Sequence, residues 1–298
     1  MASKPELDDI GKAKLLLVVL SFIWGLNWPA MKIALEEITP WTFRFLGFGI
    51  GALSLIALQR LQGRSLYVPR GRAWLHIIVS SVLNLIAFGL FSTYALLDAT
   101  TSRVVIINYS MPVWASLMAW LILGERLNMM MGIGLTLCMC GLAVLVYPLA
   151  ATQTLVGLLL ALGCALSWAA GTIYVKWARI AGDLPAITVW QVVLAVVVIG
   201  AGLLIFQGKP TMAPLQLRTW LAVIFSGMFG TGFAYIIWFR IIGRLPTATA
   251  ALGTLSIPIV GVVSSALILG ERPTSADIVG FALIFAAAVC VLIPPQRR

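Results

Sequence analysis

Polar side chains in the middle of long apolar runs are the residues of this chain best placed to do chemistry, because hydrocarbon offers them no partner. Asn27 stands near the centre of the first run, flanked by Trp24 and Trp28, with Trp24 on the same helical face and Pro29 close by. An amide beside an indole wall suits a ligand with one polar and one flat apolar end. An interhelical hydrogen bond, a common glue in membrane bundles, explains the same amide. Asn84 repeats the pattern in the third run, where Phe88 and Phe91 follow at i+4 and i+7; rings at that spacing also serve plain lipid or core packing. Asn108 and Tyr109 precede Ser110 and Pro112, and a proline there strips the carbonyl near residue 108 of its helical donor. Tyr109 can stack on a ligand and bond it through its hydroxyl, or satisfy the freed backbone. Trp168, beside Ser167, is too deep in its run for an interfacial belt, unlike Trp41, Trp74, Trp177 and Trp220 at run ends. Tyr235 and Trp238, near the end of the eighth run, are weaker candidates. Pro29, Pro112 and Pro258 are the candidate hinges or gates.

Charged groups inside the runs are few. Arg44 lies about one turn into the second run, and either holds an anionic group, pairs with Glu36 or Glu37, or snorkels to the interface. His76, the single histidine, reads as an interfacial residue or a protonatable switch. No Asp or Glu falls in the middle third of a run, which argues against a carboxylate proton relay and against metal or bare-cation cargo. Cys138, Cys140, Cys164 and Cys290 lack zinc-ligand or disulfide spacing and read as small core residues. With no nucleotide, dinucleotide or zinc motif, no cofactor is expected, no metal site, and no catalytic residues of an enzyme.

The elements that must position these residues follow from composition. A hydrophobic fraction of 61%, charged residues at 10% and a mean hydropathy of +1.04 exclude an ordinary soluble domain. Runs near twenty residues match the thickness of a hydrocarbon core and are too long for barrel strands, so they are spanning helices. Ten are read: 13–34, 40–59, 74–97, 103–123, 129–148, 155–178, 185–206, 219–241, 248–268 and 275–293. The net charge of +10 belongs to the loops of such a protein and implies no nucleic-acid partner.

Leu121 to Arg126 and Leu267 to Arg272 carry the same six residues, 146 positions apart. At that offset Thr101 meets Thr247, Ser110 meets Ser256, Pro112 meets Pro258, Gly134 meets Gly280 and Pro148 meets Pro294, so half the chain is duplicated. Each copy holds five spans, an odd number, so the second enters the membrane inverted. Fourteen Lys and Arg fall on the side of the N-terminus and five on the other, which puts both termini in the cytoplasm. The chain divides into a cytoplasmic tail 1–12, a first five-helix repeat 13–148, an external linker 149–154, an inverted second repeat 155–293 and a cytoplasmic end 294–298. Inverted repeats of this kind are frequent in secondary transporters. The two glycines of the hexapeptides are expected to end their helices, and the following charges to solvate the turns or cap neighbouring helices.

Leu20 to Trp28, reading LSFIWGLNW, and the block from Pro112 to Glu125-Arg126 resemble the EamA family of drug/metabolite transporters. Leu166-Ser167-Trp168 and the block from Pro258 to Glu271-Arg272 are similar to its second repeat. The resemblance covers essentially the whole chain, and within the family it is nearest the YddG-type exporters of aromatic amino acids. It implies an all-α polytopic membrane protein, ten transmembrane helices as two inverted repeats around a central cavity. It also implies alternating access and export of a small-molecule substrate, an amino acid or similar metabolite, across the inner (plasma) membrane. The expected partners are that substrate and the lipid bilayer, in a monomer or homodimer. Substrate contacts are expected from Trp24, Asn27, Asn84, Phe88, Asn108, Tyr109, Trp168 and Tyr235.

Overall fold

Ten helices in the computed structural model follow the apolar runs, over the described residues 7–125, 129–147, 155–210, 214–242, 244 and 253–292. They are α1 (Leu7–Ala34), α2 (Pro40–Leu61), α3 (Arg72–Asp98), α4 (Thr101–Leu123) and α5 (Met129–Val146) in the first repeat. The second repeat supplies α6 (Val156–Ala178), α7 (Leu184–Gln207), α8 (Leu217–Trp238), α9 (Ser256–Leu269) and α10 (Ser275–Leu292). Among the described residues, nine are long and apolar enough to cross a membrane, α9 is shorter, and no strand occurs. Arg126, Pro148, Thr247, Pro294, the linker 149–154, the end 294–298 and the expected start of the ninth span at 248 lie outside the described residues.

Three helices depart from a plain α ladder, two of them at matching places. A π-helical segment interrupts α3 over Val82–Ala87, and another interrupts α8 over Phe225–Phe233. Asn84 and Gly230 lie in these segments, 146 residues apart, in the register of the repeat. In α4 the helix Thr101–Asn108 stops, Tyr109 and Ser110 turn, and Met111–Leu123 resumes with Pro112 in its first turn. Pro112 has no N–H to offer the Asn108 carbonyl, so the ladder breaks where the sequence predicts it. Pro29, by contrast, sits inside an unbroken α1.

Packing repeats the sequence symmetry. α1 packs on α9 and α8, and the equivalent helix α6 packs on α4 and α3; α2 meets α8 as α7 meets α3. The pairs α2–α7 and α5–α10 map onto themselves. In the second pair, Gly134 faces the Ala287 carbonyl and Val291 while its counterpart Gly280 faces Leu145. Small residues let backbones approach closely where no hydrophobic drive separates helix from lipid.

The turn glycines behave as expected. Gly124 (φ 68°) and Gly270 (φ 69°) are left-handed caps that end their helices. Glu271, next to the second, accepts hydrogen bonds from the Thr101 and Ser102 backbone amides at 2.6 and 2.8 Å and from the Ser102 hydroxyl at 2.7 Å. Glu271 therefore sits at the first turn of α4, while Glu125 sits at its far end. The two copies of the hexapeptide occupy opposite faces of the bundle, as inversion requires.

Two expectations need correction. Cys138 and Cys164 are buried, but Cys140 is exposed and Cys290 half-buried; two residues along a helix turn a side chain roughly 200° to the other face. Arg44 does not pair with Glu36 or Glu37 and does not snorkel. Glu36 binds Arg218 at 2.9 Å, and Glu37 accepts from the Gln216 amide at 2.9 Å and the Thr219 hydroxyl at 2.6 Å. Arg44 instead turns inward, only 8% exposed.

Candidate functional site

Five of the predicted residues, Trp24, Asn27, Asn84, Phe88 and Trp168, fall into two candidate half-sites related by the repeat. In the first, between α1 and α8, Trp24 Nε1 donates to the Gly230 carbonyl at 3.1 Å and its ring lies 6.1 Å from that of Trp238. Asn27, one turn on, packs against Gly230, where a Cβ would come within 2.8 Å of the Asn27 Oδ1. Gly230, whose carbonyl takes the indole N–H, lies within the π-helical stretch of α8.

In the second half-site, between α3 and α6, Asn84 packs against Gly171, where a Cβ would fall 1.7 Å from the Asn84 Oδ1. One turn further, Phe88 lies 5.0 Å from Trp168 with planes tilted by 57°. Such tilted contacts present the positive edge of one ring to the negative face of the other. Ser167 donates to the Leu83 carbonyl at 2.5 Å and fastens α6 to the π-helical segment of α3.

The amides share an unusual property. The Oδ1 atoms of Asn27, Asn84 and Asn108 are buried and accept no hydrogen bond from the described residues. Native proteins pair most buried polar atoms, and an orphaned acceptor demands an explanation. The interhelical-bond explanation does not apply to these oxygens. Asn108 is 2% exposed at the break of α4, and Tyr109, also buried, packs in one core with Trp28, Met31 and Val105. Tyr235 lies apart from these groups, against Phe48, Val192 and other apolar side chains of α2, α3 and α7.

Arg44 stands beside both half-sites. Its Nε donates to the Gly89 carbonyl at 2.9 Å, and one Nη reaches the Ser92 hydroxyl at 2.6 Å and the Met31 sulfur at 3.3 Å. The guanidinium carbon lies 5.3 Å from the Phe43 ring centroid and 5.6 Å from that of Phe48. His76 is away from the site, at the other end of α3, with Nδ1 2.8 Å from the Tyr174 hydroxyl. A cavity of about 220 Å³ opens on that same end, lined by Gln59, Gln62, Arg64, Pro185, Ile236, Arg240 and Arg244.

Sequence reasoning missed several members. Gly171 and Gly230 are small enough to admit an asparagine side chain, but their partners lie on distant helices; only the cluster Gly227, Gly230 and Gly232 signals a close approach. The buried ion pair of Arg103 and Asp277, 2.7 Å apart, joins α4 to α10 across the repeats. Both residues stand near the ends of their apolar runs, where depth does not mark them. Among the described residues no group of three or more His, Cys, Asp or Glu could hold a metal.

A model of the EamA-like transporter family matches residues 11–147 and 155–293, one copy for each five-helix repeat. The chain is 30% identical over 289 residues to the uncharacterized transporter YvbV of Bacillus subtilis (strain 168), covering 94% of this chain and 91% of that one. It is 27% identical over 290 residues to a probable amino-acid metabolite efflux pump of Escherichia coli (strain K12), covering 90% of each chain. A crystal structure superposes with a TM-score of 0.67 at 21% identity, over 94% of this chain and 96% of that one, which shows the shared fold. The ten-helix inverted bundle and the matches over both its halves agree: this chain is a multi-pass membrane transporter and belongs to the EamA-like transporter family.

Proposed function

We propose that the protein exports small neutral apolar metabolites, foremost aromatic and other hydrophobic amino acids, by alternating access between its inverted repeats. The observation that carries this reading is the pairing of mid-membrane rings with orphaned amide oxygens. Phe88 and Trp168 offer a flat apolar surface, while Asn27, Asn84 and Asn108 hold acceptors with no protein donor. A ligand with an aromatic side chain and an ammonium group meets both demands at once. The relatives named as amino-acid metabolite efflux pumps support the same substrate class. Pro112 and Pro258, each near the start of a helix segment in the fourth span of its repeat, are the hinges of the exchange, with Pro29 a third. The excess of Lys and Arg on the side that holds the cavity supports a cytoplasmic position for that face and for both termini, in a protein of the plasma membrane.

Organic phosphates and sugar nucleotides fit less well. A dianionic group needs two or more deep cations, and Arg103 is already bound to Asp277, which leaves Arg44 as the one deep cation without a carboxylate partner among the described residues. Counterflow of radiolabelled L-tryptophan, L-phenylalanine and L-leucine into proteoliposomes tests the proposal. Saturable exchange of at least one is expected, and Trp168→Ala is expected to reduce it at least tenfold. Absence of flux for every hydrophobic amino acid would refute the assignment.

A further inference from the structure

The described carboxylates leave Arg44 without a counter-ion. Glu36 is taken by Arg218, Glu37 by Gln216 and Thr219, Glu271 by Thr101 and Ser102, and Asp277 by Arg103. The contacts of the guanidinium are a backbone carbonyl, a hydroxyl, a thioether and two aromatic rings, all neutral. Its second Nη has no hydrogen-bond partner among the described residues. A buried charge held this way is positioned but not neutralised, and intramembrane charges of that kind mark ligand pathways more often than structure.

Its location is set by helix geometry. Met31 follows Asn27 by four residues, Ser92 follows Phe88 by four, and Cys164, a buried neighbour of Arg44, precedes Trp168 by four. Each step is one helical turn, about 5.4 Å. Because α6 runs opposite to α1 and α3, all three steps point the same way, toward the face carrying Glu37 and Glu271. Arg44 thus forms a positive layer one turn beyond the layer of amides and rings. The ring and the carboxylate of an aromatic amino acid are separated by a similar distance.

We infer that Arg44 is the carboxylate-binding residue of the transport site. A substrate whose ring packs on Phe88 and Trp168 extends its carboxylate to the free Nη of Arg44, while Ser92, which accepts from the other Nη and donates to the Gly89 carbonyl, holds the guanidinium in place. Arginine suits the role because it stays charged when buried and, with Nε and one Nη held by Gly89, Ser92 and Met31, still offers the N–H groups of its other Nη to a carboxylate. The assignment rests on the proposed amino-acid specificity and adds a rule to it: transport requires a carboxylate, and an aromatic amine alone is not a substrate.

The test uses wild-type proteoliposomes first. L-Tryptophan counterflow is challenged with indole-3-propionate, which keeps the carboxylate, and with tryptamine and L-tryptophanamide, which lack it. Indole-3-propionate should compete at least tenfold better than either. Equal competition by tryptamine or the amide overturns the role of Arg44 while leaving the transport function standing, whereas no flux of any amino acid removes that function instead. In that second case the anion site is read by thermal unfolding of the detergent-purified protein: a rise with indole-3-propionate and none with tryptamine supports it, and the reverse or no rise overturns it. Arg44→Gln should abolish the tenfold preference and Arg44→Lys restore part of it. A folded Arg44→Gln protein that keeps the full preference would reduce Arg44 to a tie between helices. If neither variant folds, the wild-type competition decides alone.

Discussion

At one end of the bundle, Glu37 and Glu271 each cap the first turn of a helix from the opposite repeat: Glu37 holds Gln216 and Thr219 at the start of α8, and Glu271 holds Thr101 and Ser102 at the start of α4. At the other end stand their counterparts, 146 residues away. Asp183 is exposed and makes no side-chain cap at the start of α7, and Glu125 pairs with Lys176 at 2.5 Å on the surface. The capped end also carries the buried pair of Arg103 and Asp277 and the bond from Lys32 to the Leu96 carbonyl. The uncapped end carries the cavity beside Arg64 and Arg240. Equivalent residues in a duplicated chain therefore do unequal work. The hexapeptide is not the cause, since Glu125 and Glu271 lie in identical copies of it; their surroundings differ, and Ser102, which donates to Glu271, has Ala248 as its counterpart. This is the asymmetry that an exchange of roles between repeats would invert.

Breaking the capped end should cost most. Asp277→Ala leaves Arg103 buried and unpaired, and removing one partner of a buried pair typically costs about 3–5 kcal/mol. Thermal unfolding in detergent should show the largest loss for this variant, and replacing both residues by methionine should recover much of it. Next comes the fit of asparagine on glycine. Gly171→Ala drives a methyl into Asn84, whereas Gly230→Ala meets Asn27 at a longer distance. Overpacking costs roughly 1–3 kcal/mol, so the first should unfold at lower temperature than the second, and Asn84→Ala should rescue it. Equal effects would show that the two half-sites are not packed unequally.

The twin glutamates give the most direct comparison. Glu271→Gln weakens a helix cap, for which losses of about 0.5–2 kcal/mol are usual, while Glu125→Gln loses an exposed pair of about 0–1 kcal/mol. Melting curves of the two variants should differ in that order, and identical curves would erase the distinction between the ends. The smallest effect concerns acidity. The Thr219 hydroxyl and then the Gln216 amide hold Glu37 below its ordinary carboxylate pKa of 4.5. A depressed folded value means the stabilisation is complete above that ordinary pKa and is lost as pH falls toward and through the lowered one. Glu37→Gln should flatten that acid slope of stability without changing its value's direction elsewhere.

How much of this was legible beforehand depends on the range of the interaction. The ten helices follow from local composition, and the break before Pro112 follows from one missing N–H. The π-helical segment of α3 is not legible in the sequence, because nothing in Val82 to Ala87 distinguishes it from an ordinary helix. Asn27, Asn84, Phe88 and Trp168 were singled out because depth alone makes such residues conspicuous. Depth marks Arg44 in the same way, but its expected pairing with Glu36 or Glu37 rests on proximity in sequence alone. Those two glutamates reach across to α8 instead.

By itself the sequence determined that this chain spans a membrane as helices, since hydrocarbon forces backbone groups to bond within their own segment. Its 146-residue repeat, carrying an odd number of spans, also determined inversion. Only the tertiary structure decided that Asn84 would rest on Gly171, that Arg103 would find Asp277, and that Arg44 would meet no counter-ion among the described residues. These contacts join helices far apart in the chain, and which faces meet is set by the packing of the whole bundle rather than by any local pattern.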